Sequence, residues 1–243
     1  MPLPSAAFAV PPVVPRGILD AMLTQTTIAP PGWVQAQEPA DWLTEDERAV
    51  FVSWRSDKRR AEWLAGRLAA KRLLRESYGL PPLLCVIGRE GPAPCILSPD
   101  LTAHPRVRLR LSLSHSAGLG AATVSDPDRE GTAGVDVQRV RPVHPGLGLR
   151  AFTPGERAQI GSRFGDGNDP DGLLLLWALK EAAIKARRAA WGRALREIEV
   201  RLSGPSTATI HISGEPALTA AYARLGDTTD AWWLARAVRP VAE

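Results

Sequence analysis

The order of elements along the sequence predicts an α+β fold assembled from two similar halves, and three observations carry that reading. A short helix, a long helix and a set of strands follow one another twice within the 243 residues. Both short helices open on a Thr-x-x-Glu capping signal, Thr44 with Glu47 and Thr153 with Glu156. Several segments alternate apolar and polar residues with the period of two that belongs to strands. No strong identity links the halves, so the duplication is read from element order alone.

Residues 1–41 begin "MPLPSAAFAVPPVVPR" and read as a proline-rich arm and loop without periodicity. The N-terminal half is set at 42–133 and the C-terminal half at 134–243. "LTEDERAVF" is a short helix with acidic residues in its first turn, which suits the positive end of the helix dipole. A long helix follows over Ser56–Tyr78, with Ala61, Leu64 and Leu68 as its apolar stripe and "YGLPP" as its stop. "VRLRLSLSH" is a half-buried strand: Val107, Leu109, Leu111 and Leu113 face one way, Arg108, Arg110 and Ser112 the other. "GLGAATVS" and "TAGVDVQRV" are the next strands, joined by the turn "DPDREG". The second half repeats the scheme with a helix from "TPGERAQI", a loop "FGDGNDPDG", a long helix over Leu173–Trp191, and strands "IEVRL", "TATIHI" and "AWWLARAV".

The net charge of +4 and a pI near 9.5 favour an anionic partner without naming its kind. The two cysteines, Cys85 and Cys95, form no metal-ligand pattern and are read as thiols of a reducing cytoplasm. The longest apolar run, Leu173–Leu179, is too short to span a bilayer, and the N-terminus lacks the pattern of a signal peptide. No Walker-type loop and no dinucleotide fingerprint is present. The arginines are scattered among the acidic residues instead of gathered in a run, which argues against a nucleic-acid partner.

Two carboxylates stand out. In "GVDVQ" the period of two puts Asp136 and Gln138 opposite Val135 and Val137, so a carboxylate projects from an otherwise apolar strand. In "WALKEAAIKA" Trp177, Glu181 and Lys185 stack along one side of the helix. Taken singly, these are an edge-strand acid and a surface ion pair. Taken together, Asp136 and Glu181 could hold a hard cation such as Mg²⁺, with Lys180 and Lys185 beside it for phosphate oxygens. Ser114 and His115 close the strand "SLSHS" as further donors, and Arg59, Arg67 and Lys71 lie along the upstream long helix.

"GVDVQ", "WALKEAAIKA" some 40 residues later and "SLSH" before them resemble the signatures of the Sfp-type 4′-phosphopantetheinyl transferases, G-[IV]-D-x-E and [WF]-x-x-K-E-[AS]-x-x-K. "RRAEWLAGRLAAKRLL" and "FTPGER" resemble two further segments of that family, and the likeness covers roughly residues 43–215. The resemblance implies a pseudo-twofold α+β protein with its site between the halves. It implies an enzyme that moves the phosphopantetheine arm of coenzyme A onto a serine of an acyl or peptidyl carrier protein and releases adenosine 3′,5′-bisphosphate; a duplicated chain can form its site alone, so a monomer is expected. By the same resemblance Asp136, Gln138 and Glu181 would hold Mg²⁺. Glu181, Lys185 and Asp136 would be catalytic. Arg59, Arg67, Lys71, Ser114, His115, Lys180 and Lys185 would contact coenzyme A. The basic total suits an acidic carrier.

The sequence departs from the family at two places. Gln138 stands where the family often has Glu, and "GPAPC" replaces a Gly-Lys-Pro phosphate motif of some members. These departures leave open a diverged module that binds coenzyme A or a carrier protein without transferring the arm.

Overall fold

The computed structural model describes residues 25–97, 109–188, 190, 192, 194–227 and 229–241. Among these residues the chain stacks helix, sheet, sheet and helix. One outer layer is α4 (Asp57–Tyr78), lying on an antiparallel sheet of order β1-β5-β4, formed by β1 (Thr26–Ala29), β5 (Leu119–Ser125) and β4 (Arg110–Ser116). The other outer layer is α7 (Pro170–Arg187), lying on an antiparallel sheet of order β6-β10-β9-β8-β7. Those strands are β6 (Thr132–Arg139), β7 (Ile198–Leu202), β8 (Thr207–Ile212), β9 (Leu218–Gly226) and β10 (Ala231–Arg239). A hairpin of β2 (Val86–Glu90) and β3 (Ala93–Leu97) packs beside β4. The remaining helices are short: α1 (Pro31–Gln35), α2 (Pro39–Trp42), α3 (Glu45–Ser53), α5 (Leu147–Ala151) and α6 (Pro154–Phe164). Among the described residues no helix is long and apolar enough to cross a membrane.

The layering follows from strands that bury both faces. In β5, Ala122 and Val124 join the core under α4, whereas Leu119 and Ala121 face the second sheet. In β6, Val135 and Val137 join that same inter-sheet core with Trp232 and Leu234 of β10. The opposite face of β6 lies against α7. Its Gly134 is required there, because a Cβ would stand 2.1 Å from the Ala182 carbonyl oxygen. The helix backbone therefore comes close enough to bring α7 side chains down onto Asp136.

β4 and β6 belong to different sheets, and serine hydroxyls join them. The Oγ atoms of Ser112, Ser114 and Ser116 accept from the backbone N–H groups of Val135, Val137 and Arg139, at 3.1, 3.2 and 3.0 Å. The polar face of "VRLRLSLSH" was expected to meet solvent. At Ser112 and Ser114 it is buried instead, because those hydroxyls complete the bonding of a neighbouring strand. Val107 and Arg108 of that expected strand lie outside the described residues.

Two buried ion pairs anchor the long helices. Lys71 of α4 pairs with Glu47 of α3 and donates to the carbonyl oxygens of Pro82 and Cys85, at 2.8 and 2.7 Å. Lys180 of α7 pairs with Glu156 of α6 at 2.8 Å and donates to the carbonyl oxygens of Ala151 and Leu195. Each glutamate also accepts the N–H that opens its capping box and one strand N–H, Ile87 for Glu47 and Val200 for Glu156. Burial lowers the pKa of both lysines, and the paired glutamates oppose it.

Other differences from the expected elements have local causes. The segment 1–41, read as arm and loop, holds β1, α1 and the start of α2, and β1 is fixed by pairing with β5. Residues 1–24 lie outside the description. α7 starts at Pro170, where Asp169 caps the Asp171 and Gly172 N–H groups, and it ends at Arg187.

Removing one partner of a buried pair strands a charge. Glu156→Ala is expected to lower the unfolding free energy by about 3–5 kcal/mol in a urea titration. A loss below about 1 kcal/mol would place the pair among weak surface contacts.

Candidate active site

Asp136 is 2% exposed, although its side chain projects from the face of β6 that meets α7. Both carboxylate oxygens are engaged. Oδ1 accepts from Ser114 Oγ at 2.7 Å and from Lys185 Nζ at 2.6 Å, and Oδ2 accepts from Gln138 Nε2 at 2.8 Å. β4, β6 and α7 thus deliver one side chain or more each to a single carboxylate. Ser114 acts twice there, accepting from Val137 N–H and donating to Asp136.

Glu181 lies one turn before Lys185 on α7 and is half-buried. No hydrogen bond or ion pair among the described residues holds its carboxylate. Burial pushes its pKa up, the nearby Asp136 charge adds to the rise, and Lys185 opposes it. Two carboxylates thus share one ammonium in a partly desolvated corner. Asp136 takes that ammonium as its ion-pair partner, and Glu181 has no ion-pair partner among the described residues.

His115, at the end of β4, is exposed at its edge and packs against α4, where a Cβ on Gly66 would lie 3.7 Å from its Cδ2. Desolvation lowers its pKa, Glu62 opposes this, Lys185 lowers it further and Asp136 opposes in turn. The imidazole therefore stands between α4 and the Asp136 cluster. Glu62 had no signal in the sequence, since an acid on a charged helix face reads as solvated.

The other expected contacts divide. Arg59 is exposed at the first turn of α4, on the side of Glu62 and Gly66 by helical spacing. The Arg67 guanidinium lies 4.8 Å from the Trp63 ring centroid, and its buried Nε, 4.0 Å from Glu47 Oε1, has no hydrogen-bond partner among the described residues. Burial lowers the Arg67 pKa, Glu47 opposes this and Arg89 of β2 reinforces it.

Lys71 and Lys180, expected at phosphates, are corrected by the structure. Both are fully buried, and carboxylates and carbonyl oxygens take up their ammonium donors. Lys180 and Glu181 are neighbours in sequence, but a step of about 100° around the helix turns one into the core and the other toward Asp136.

The donor set fits a hard divalent cation. Asp136, Glu181 and the Gln138 Oε1, which accepts no hydrogen bond among the described residues, are all oxygen donors. Among the described residues no group of three or more His, Cys, Asp or Glu is gathered for a metal, so a third ligand would be the amide. The ammonium of Lys185 on Asp136 shows that the position already accepts positive charge.

The folded protein holds the Glu181 proton more tightly than the unfolded chain does. Ionised Glu181 therefore subtracts stability, and the penalty grows as pH rises from the usual glutamate range through the raised pKa. In the absence of divalent ions, Glu181→Gln is expected to melt above the wild type at neutral pH, with the gap closing in acid. Equal melting temperatures at neutral pH would show that the carboxylate carries no such penalty.

No curated protein matches the chain in sequence. Residues 132–237, from the first residue of β6 into β10, match the family model of the 4′-phosphopantetheinyl transferase superfamily.

Proposed function

We propose that this chain, whose residues 132–237 match the family model of the 4′-phosphopantetheinyl transferase superfamily, transfers the phosphopantetheine arm of coenzyme A to a carrier-protein serine. The observation that carries the proposal is the meeting of Asp136, Glu181 and Lys185 within the matched span, with Ser114 and His115 beside them.

Asp136, Glu181 and the Gln138 amide oxygen would hold Mg²⁺, which would supply charge neutralisation at the pyrophosphate of coenzyme A. Lys185, already within reach of Asp136, would turn its ammonium to the phosphate oxygens. His115, Arg59 and Arg67 would hold the phosphates of the nucleotide end. Ser114 would orient Asp136 through its hydroxyl. Glu181 would also orient or deprotonate the incoming serine hydroxyl. The serine oxygen bonds to the β-phosphorus, the bond from that phosphorus to the bridging oxygen breaks, and adenosine 3′,5′-bisphosphate leaves with the electron pair.

A pseudo-twofold plan, with the site between halves 42–133 and 134–243 after an arm at 1–41, is part of the same proposal. Support comes from recurrence at one constant offset along the chain: Thr44 with Thr153, Glu47 with Glu156, and Lys71 with Lys180. Further support comes from the Asp136 cluster, which draws Ser114 from the first half. An acyl or peptidyl carrier protein as partner and a monomeric chain complete the reading.

One observation favours a second reading, a module that binds coenzyme A or a carrier without transfer. It is the amide of Gln138 in place of an acid, with its N–H₂ turned to Asp136. Intact-mass measurement separates the two. With Mg²⁺ and coenzyme A, an apo carrier is expected to gain the mass of one phosphopantetheine arm. Glu181→Gln should abolish that gain while remaining folded. Mg²⁺ should raise the melting temperature of the wild type and leave that of Glu181→Gln unchanged. A carrier panel with no mass gain would support the binding module. Gln138→Glu is expected to lower the Mg²⁺ concentration for half-maximal rate, and an unaltered dependence would put position 138 outside the metal's ligands.

A further inference from the structure

The residue after α7, Arg188, has a backbone and a side chain that call for separate explanations. Its φ of 56° and ψ of 13° place it in the left-handed region, which glycine occupies freely and arginine does not. A non-glycine residue persists there where its surroundings hold it. Its guanidinium reaches away from the helix to two other elements. Nη1 donates to the Leu111 carbonyl oxygen of β4 at 3.0 Å, and Nη2 donates to the Pro94 carbonyl oxygen of β3 at 3.1 Å. Glu90 of β2 lies 3.5 Å away, and Arg110 of β4 contacts the same carboxylate oxygen at 2.9 Å. The side chain is only 15% exposed.

β3 and β4 run side by side but belong to different sheets. A fork with several donors can satisfy carbonyl groups on both strands at once, which one ammonium cannot do. The same residue directly continues the helix that carries Glu181 and Lys185. The strand β4 that the guanidinium holds at Leu111 also carries Ser114 and His115.

We propose that Arg188 is a positioning residue that clamps the β2–β3 hairpin to the end of α7, so that the nucleotide end of the site and the metal end are set by one side chain. The inference rests on the transferase reading for its functional half and on the geometry alone for its structural half. It does not require Arg188 to touch substrate.

The test is Arg188→Gly in the full chain, because glycine accepts the left-handed backbone and removes the side chain that bridges the strands. Amide hydrogen exchange over residues 86–97 is expected to quicken about tenfold while β9 and β10 stay as in the wild type. The KM for coenzyme A is expected to rise about tenfold with kcat within about threefold, since the lost contact organises binding more than chemistry. Arg188→Lys should recover part of both effects. Unchanged exchange in the hairpin overturns the clamp, and so does a uniform acceleration throughout the chain. A faster hairpin with unaltered KM overturns the link to the nucleotide end. A wild type that neither binds coenzyme A nor transfers its arm overturns the proposed function and the functional half of this inference. The exchange comparison still decides the structural half.

Discussion

The joint between β4 and β6 is the constraint on which the site depends. Two strands from different sheets lie side by side, and three serine hydroxyls receive the N–H groups of the neighbour. A buried N–H left without a partner costs about 1–3 kcal/mol, so the register of this joint is strongly held. A shift by one residue would present leucine or histidine side chains to Val135, Val137 and Arg139 instead of hydroxyls. Because the register is fixed, Ser114 meets Asp136 and His115 stands at the same level beside α4. The chemistry-bearing residues are thus placed by main-chain bonding.

Charge balance explains the rest of the corner. The Asp136 carboxylate has a hydroxyl, an amide and an ammonium around it, whereas Glu181 has only the shared influence of Lys185. Elsewhere the protein neutralises buried acids completely: Glu47 and Glu156 each take a lysine and two backbone N–H groups. The contrast between two satisfied glutamates and one unsatisfied glutamate distinguishes scaffold from site. It also explains the fate of the lysines, since those that hold the scaffold have no donor left for a ligand.

Much of this was legible where local physics decides. The capping boxes at Thr44 and Thr153, the span of α4, the two-faced pattern of β6 and the placement of Glu181 and Lys185 on one side of α7 all follow from short-range spacing. The hairpin was hidden because glycine and proline in "IGREGPAPCILSPD" suggest a loop, while Pro94 sits on a strand opposite Arg89. β9 was missed because "LTAAYARLG" is alanine-rich and takes its strand from β8 and β10. Lys180 was misplaced because a Lys-Glu pair in a motif draws both residues to the ligand, and only the helix phase separates them. Nothing local marks Arg188, whose partners are far away in the chain.

The burial of two lysines has a practical side. The chain has four lysines. Lys71 and Lys180 have fully enclosed side chains, and Lys185 is 29% exposed against Asp136. Lys58, in the first turn of α4 next to Arg59, is 83% exposed. Among side-chain amines, an acylating dye or a bifunctional linker would therefore meet one open address, and that address adjoins the face presented by His115. A fluorophore placed there would report changes around Glu62 and His115 without any engineered cysteine.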